Sequence, residues 1–225
     1  MFTYVSAWSA SQRYGLTPAP GGLALVQDFL NTIGIHDHPD RLASTTLADD
    51  WAADAVRTWS AARGVDAHPP SLNDADLSRL RALRGTISKL VAGEPTDGHG
   101  TGPVSASFVL SDAGDVRLEP SGSGWRWLAS ALWGEILLGQ HNGTWRRIKQ
   151  CHNHHCGSTF YDRSKNNSGV WHNVKTCGNA ANLRASRARR RERDRAAARA
   201  ADCELAVPPE QPVSVVEASP DHRRR

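Results

Sequence analysis

Between residues 151 and 177 the chain gathers Cys151, Cys156 and Cys177 together with His152, His154, His155 and His172. Thiolate and imidazole are the donors that tetrahedral zinc favours, and four protein ligands close a structural site. Cys151 and Cys156 are separated by four residues, His172 and Cys177 again by four, and fifteen residues lie between the pairs. Two matched ligand pairs around a loop suit one structural Zn2+. His172 restores the pair symmetry and is the preferred fourth ligand, with His152, His154, His155 and the nearby His141 left as alternatives. Three thiolates and one imidazole leave the centre less negative than four thiolates would. Its metal should be lost as acid protonates the ligands. Without metal the cluster is a polar loop, and a module with so few apolar residues would hardly fold.

Directly after the cluster, residues 184–199 hold eight arginines and two acids. Arg184, Arg187, Arg191 and Arg195 fall on one helical stripe, flanked by Arg189, Arg190 and Arg193. The apolar residues among them are mostly alanine, too small to pack firmly on a core, so this helix is expected to project. A solvated face usually mixes both signs, whereas a run of like charge repels itself unless an anion lies against it. DNA is the expected anion, with Arg163, Lys165 and Lys175 adding backbone contacts. Arginine pairs with phosphates and with guanine edges alike. RNA or a nonspecific polyanion is the alternative. A metal-dependent nuclease is a weaker one, because no carboxylate accompanies the surplus histidines and Asp162 stands alone. No enzyme is expected.

The elements that position these residues follow from periodicity. Leu23, Leu25, Val26, Phe29, Leu30 and Ile33 predict a helix face after the loop P-A-P-G-G. Ser44 or Thr45 can cap a second helix ending at Arg63-Gly64, and Asn73 or Asp74 a third, with the stripe Leu77, Leu80, Leu83, Ile87 and Leu90. Residues 92–103 are Gly/Pro-rich and expected to be mobile. V-S-A-S-F-V-L and V-R-L-E-P alternate around D-A-G-D, a hairpin signal. W-R-W-L-A-S-A-L-W-G-E-I-L-L-G returns to helical spacing, its tryptophans read as core. In the cysteine region a hairpin is expected from F-Y-D through a turn at K-N-N-S-G to V-W-H, with Cys177 opening the arginine helix. Asp28, Asn31 and Thr32 can simply fix a helix end. The sharper alternative is a ligand pocket among the tryptophans, lined by Asn31 and Thr32 with Arg84.

The segment from Cys151 to Arg191 resembles the zinc finger of the CGNR family of bacterial proteins. That family's pattern is a C-x4-C pair, a D-R-S turn, a Trp-Cys pair, and C-G-N-R before an arginine-rich helix. Cys151 and Cys156 match the first pair, Asp162, Arg163 and Ser164 the turn, Trp171 the tryptophan, and Cys177, Gly178 and Asn179 the tetrapeptide. His172 stands where the family has its third cysteine, which zinc tolerates. Ala180 stands in place of the family's arginine, whose role is then absent or passes to Arg184. L-A-L-V-Q-D-F-L-N-T resembles the opening L-x-L-D-F-x-N-T of the companion ABATE domain, with one extra residue. Together the two resemblances imply a stress-induced transcription regulator, and the pocket reading of Asn31, Thr32 and Arg84 would make its N-terminal domain a small-molecule sensor.

Totals narrow the field further. The chain is 225 residues, enough for one sizeable domain and a small second one, and 39% hydrophobic content suits a globular core. No run approaches the ~18 apolar residues of a membrane helix, and the N-terminus is a poor signal peptide, so the cytoplasm is expected. Clustered cysteines in such a compartment favour metal over disulfides, and Cys203 reads as a spare thiol. Residues 1–150 carry 13 Lys/Arg against 15 Asp/Glu, and residues 151–200 carry 11 against 3. The positive charge thus belongs to one short segment. The expectation is an α+β fold, mostly α: an N-terminal segment (1–20), a helical sensor domain with a β-hairpin (21–148), a zinc-bound hairpin-plus-helix module (149–200) and a disordered tail (201–225). DNA, a small-molecule effector and a second copy in a homodimer are the expected partners.

Overall fold

The computed structural model describes residues 8–35, 38–96, 102–153 and 155–205, the last six of them by backbone alone. His154, part of the Gly/Pro-rich stretch and residues 206–225 of the expected tail lie outside the described residues, as does the side chain of Cys203. The described residues are mostly helical with two small antiparallel hairpins, as expected. It divides into two compact units, Met1–Ala180 and Ala181–Arg225.

The centre of the first unit is α2 (Leu23–Leu30), preceded by the single turn α1 (Ser9–Gln12). All eight residues of α2 are buried, because a helix apolar nearly all round has no face to give to water. The predicted stripe overshoots: the helix stops at Leu30, and Ile33 is 44% exposed. Around α2 pack α3 (Thr45–Arg63), α4 (Asp74–Ala92) and α5 (Trp125–His141). They bury Trp51, Val56 and Trp59, then Leu80, Leu83 and Ile87, then Leu128, Leu132 and Ile136. Truncating one such aromatic residue to alanine typically costs about 3–5 kcal/mol.

Local chemistry sets the helix ends where the sequence placed them. The Ser44 hydroxyl accepts the Leu47 N–H at 3.4 Å, and Asn73 forms a reciprocal capping box with Asp76. Gly64 and Gly93 close α3 and α4 in the left-handed conformation. Asp76 does more than close its own box. Its other oxygen accepts the Trp125 N–H at 3.2 Å, so one carboxylate caps the starts of two helices. At Gly22, just before α2, the Glu135 carboxyl occupies the space where a Cβ would stand. A negative group is favoured at that helix end.

The first hairpin pairs β1 (Ala106–Leu110) with β2 (Val116–Pro120), Phe108 opposite Leu118, around the predicted D-A-G-D turn. Leu118 rests on Gly134 of α5, where an added Cβ would come within 3.0 Å of its Cδ2. Phe108, Leu110 and Val116 remain exposed.

The second hairpin differs from expectation. Here β3 (Ile148–Gln150) pairs with β4 (Thr159–Tyr161), so the connecting loop is the Cys151–Cys156 knuckle. Residues 170–172 form no strand and contribute one backbone bond, His152 N–H to Val170 O at 2.9 Å. Asp162 is the reason. It accepts the N–H groups of Ser164 (2.8 Å) and Gly169 (2.7 Å), folding the chain into a closed turn instead of a returning strand. This hairpin packs on α2 and α4, inside the same compact unit as the helices.

After a single π turn (Val174–Gly178), α6 runs from Asn179 to Leu205. Every residue from 182 to 199 is exposed.

Candidate metal centre

Cys151 directly follows β3, and Cys156 closes the tight turn that comes next, its N–H bonded to Asn153 O at 2.7 Å. His172 comes after the Asp162 turn, and Cys177 sits in the π turn, where the Asn173 side chain accepts the Lys175 and Thr176 N–H groups. These four residues bring one ligand atom each to within 4.8 Å of one another. The His172 Nδ1 lies 3.4 Å from the Cys156 sulfur and 3.6 Å from that of Cys177. A zinc tetrahedron with Zn–S bonds of about 2.3 Å has donor–donor edges of about 3.8 Å. The cluster therefore matches the ion in donor type, number and size, and these residues can hold one Zn2+. His172 is brought into the cluster. His141, His152 and His155 are not.

The ligands have supports of their own. Asn153 donates to the Cys177 sulfur at 3.2 Å, and the Ser158 hydroxyl sits 3.1 Å from both the Cys156 sulfur and His172 Nδ1. Such outer contacts orient ligands and tune their basicity. Burial raises the Cys151 thiol above its ordinary range, since a thiolate without a cation is poorly solvated there. A divalent ion supplies the missing counter-charge, and its binding releases protons. Around the sulfurs lies a small apolar cluster, Leu16, Phe160, Tyr14 and Trp171. Phe160 and Trp171 were the expected core residues, whereas Leu16 and Tyr14 come from the N-terminal segment.

Two further groups fix the finger, in roles that no local sequence pattern discloses. Asn31, at the end of α2, accepts the Thr159 N–H at 2.9 Å and donates to Thr159 O at 2.8 Å. Its amide thus occupies the edge of β4 like one more residue of strand. The second is Lys149, whose ammonium meets Asp162 at 2.7 Å and the carbonyls of Asn167 (2.6 Å) and Gly169 (3.1 Å). Burial alone would raise the Asp162 carboxyl. The Lys149 ammonium and the Ser164 and Gly169 N–H groups outweigh it and hold the group well below the usual carboxylate range.

The residues expected to line a ligand pocket are spent on the protein itself. Asn31 and Thr32 are fully buried. The Thr32 hydroxyl donates to Phe29 O at 2.6 Å and accepts from Arg84 at 2.8 Å. Arg84 is in turn held by both oxygens of Asp40, at 2.8 and 2.6 Å. Asp28 accepts the Ser11 N–H (2.7 Å) and the Trp51 indole N–H (2.9 Å), and burial raises its carboxyl. The motif D-F-L-N-T is therefore an internal fastening, and Arg13 completes it by donating to the carbonyls of Asn31, Ile33 and Pro39.

Of the cations expected to meet a nucleic acid, Lys165 and Lys175 are exposed. Arg163 is partly committed, stacked 5.6 Å over Tyr161 and donating to Pro18 O at 2.6 Å. Arg184, Arg187, Arg189, Arg190, Arg191, Arg193 and Arg195 lie on α6 with exposed side chains.

Residues 147–190 match the family model of the CGNR zinc finger. The match covers the hairpin, all four ligands and the first turns of α6. No curated protein matches the chain. A zinc finger of this family is thus present, and no helix among the described residues is long and apolar enough to cross a membrane.

Proposed function

We propose that the protein is a zinc-dependent DNA-binding protein that regulates transcription. The observation that carries the reading is the exposed run of eight arginines on α6, beginning seven residues after the last metal ligand. A helix so charged, with so little apolar surface of its own, gains most from a polyanion. The zinc is structural: it fixes the finger from which the helix continues, and its four protein ligands leave no open position for substrate. Exposed Lys165 and Lys175 supply phosphate contacts beside those of α6. The resemblance of residues 23–32 to the opening of the ABATE domain supports a regulator over a housekeeping binder.

In vitro selection from a random DNA pool, with and without chelator, tests this reading. The expected result is an enriched motif that disappears on metal removal. If about six arginines meet phosphates, affinity should fall with a log–log salt slope of about −5. Recovery of unenriched sequences at the same slope would replace the reading with nonspecific polyanion binding.

A further inference from the structure

Away from the finger, the C-terminal end of α3 and the start of α5 form a corner of two indoles. Trp59 and Trp127 stand at 90° with ring centroids 6.0 Å apart. A cleft of about 270 Å3 opens beside them, lined further by Val65, Asp66, Ala67, His68, Glu119 and Pro120. We propose that this cleft binds a small organic cation, of the quaternary ammonium class.

The walls are fixed before any ligand arrives. The Trp59 indole N–H donates to the buried Glu135 carboxylate at 2.8 Å, which locks the ring. The Ser60 hydroxyl donates to Val65 O and accepts the Ala67 N–H at 3.0 Å, which ties down the loop carrying Asp66. Glu119 and Pro120 come from β2, held by its pairing with β1 and by its packing on α5. Preorganised walls spare a ligand the entropy of ordering them.

The formally charged lining groups are both carboxylates, with the His68 imidazole beside them. Neither the Asp66 nor the Glu119 carboxylate makes a hydrogen bond or ion pair with the described residues. Arg63 lies 6.0 Å over the Trp59 ring, yet it is bound to Glu135 at 3.4 Å and does not line the cleft. Indole faces attract cations through the ring quadrupole, most strongly where water is displaced. The indole N–H of Trp59 is already used, and Val65 and Pro120 offer no acceptor side chain. Indole faces, the apolar walls of Val65 and Pro120 and two carboxylates as counter-charge together make the combination that holds a methylated ammonium, whose positive surface is apolar.

The test is calorimetric titration of the full chain with choline and, separately, with 3,3-dimethylbutan-1-ol, its neutral carbon isostere. Choline should bind saturably, and the isostere about tenfold more weakly or not at all, the ratio expected of a cation–π and carboxylate site. Trp127→Ala should weaken choline binding about tenfold. Because that variant also removes packing, the surface pair Asp66→Asn with Glu119→Gln is measured beside it and should cost choline, but not the isostere, a similar factor. Absence of saturable choline binding overturns the proposal. So does equal affinity for the isostere, or choline binding that survives both variants.

Discussion

The α2 region and the finger both keep polar groups out of water, and they do so with opposite margins. Along α2, Gln27, Asp28, Asn31 and Thr32 are fully buried, but more than two dozen apolar residues surround them in one continuous core. Every one of those polar side chains meets a protein partner. Among the described residues, the apolar cluster around the finger's sulfurs has just four buried members, Leu16, Phe160, Cys151 and Cys177. Its order is drawn largely from point contacts instead, among them the four residues that can hold a cation, the Lys149–Asp162 pair, Arg147 on the carbonyls of Asp162 and Ser164, and the amide of Asn31. The first region can lose a contact and remain folded, whereas the second has few contacts to lose.

Metal removal should expose that difference most strongly. On chelation, or in Cys177→Ser, amide exchange protection should vanish across residues 148–178 while α2 and α5 keep theirs. Structural zinc contributes about 10 kcal/mol in isolated fingers, far more than the local core can replace. Unchanged exchange in the finger would erase the contrast. Next in size is Lys149→Met, which leaves the buried Asp162 carboxylate without its cation and should cost about 3 kcal/mol in denaturant unfolding. The acid limb sharpens it. Asp162 has a folded pKa depressed below its unfolded value, so its stabilisation is present above about pH 4 and fades as pH falls toward the folded pKa. Asp162→Asn should flatten that limb, and an unaltered limb would place the finger's acid sensitivity in the ligands alone. The smallest effect belongs to Asn31→Ala, about 2 kcal/mol, because Thr159 then keeps two unpaired backbone groups under cover. Its mark should be faster exchange at Thr159 and Phe160, with the α3 and α4 amides unmoved.

What the sequence disclosed depended on distance along the chain. The ligand set was legible because zinc demands four donors in short spacings, and the caps at Ser44, Asn73, Gly64 and Gly93 because capping is settled within four residues. Asn31 was noticed, but its partner lies 128 residues away and no local pattern points there. Helix-end fastening and a ligand pocket were both open readings for it, and the geometry is a fastening of a different kind, between helix and finger. The finger hairpin pairs differently from the expected one for a related reason. F-Y-D reads locally as a strand running into a turn, yet Asp162 ties its own turn shut, and the partner strand is Ile148–Gln150, upstream of the cysteines. Lys149 then reads as one more cation until Asp162 is placed beside it.

Gly134 acts as a spacer. With only a hydrogen there, Leu118 settles directly on the α5 backbone, and the next residue of the same strand is Glu119. Alanine at 134 would have to jack that strand outward by a few tenths of an ångström, shifting one jamb of the indole corner without touching it. The width of the indole corner is therefore set in part from α5, at the one backbone position that leaves Leu118 room to sit down.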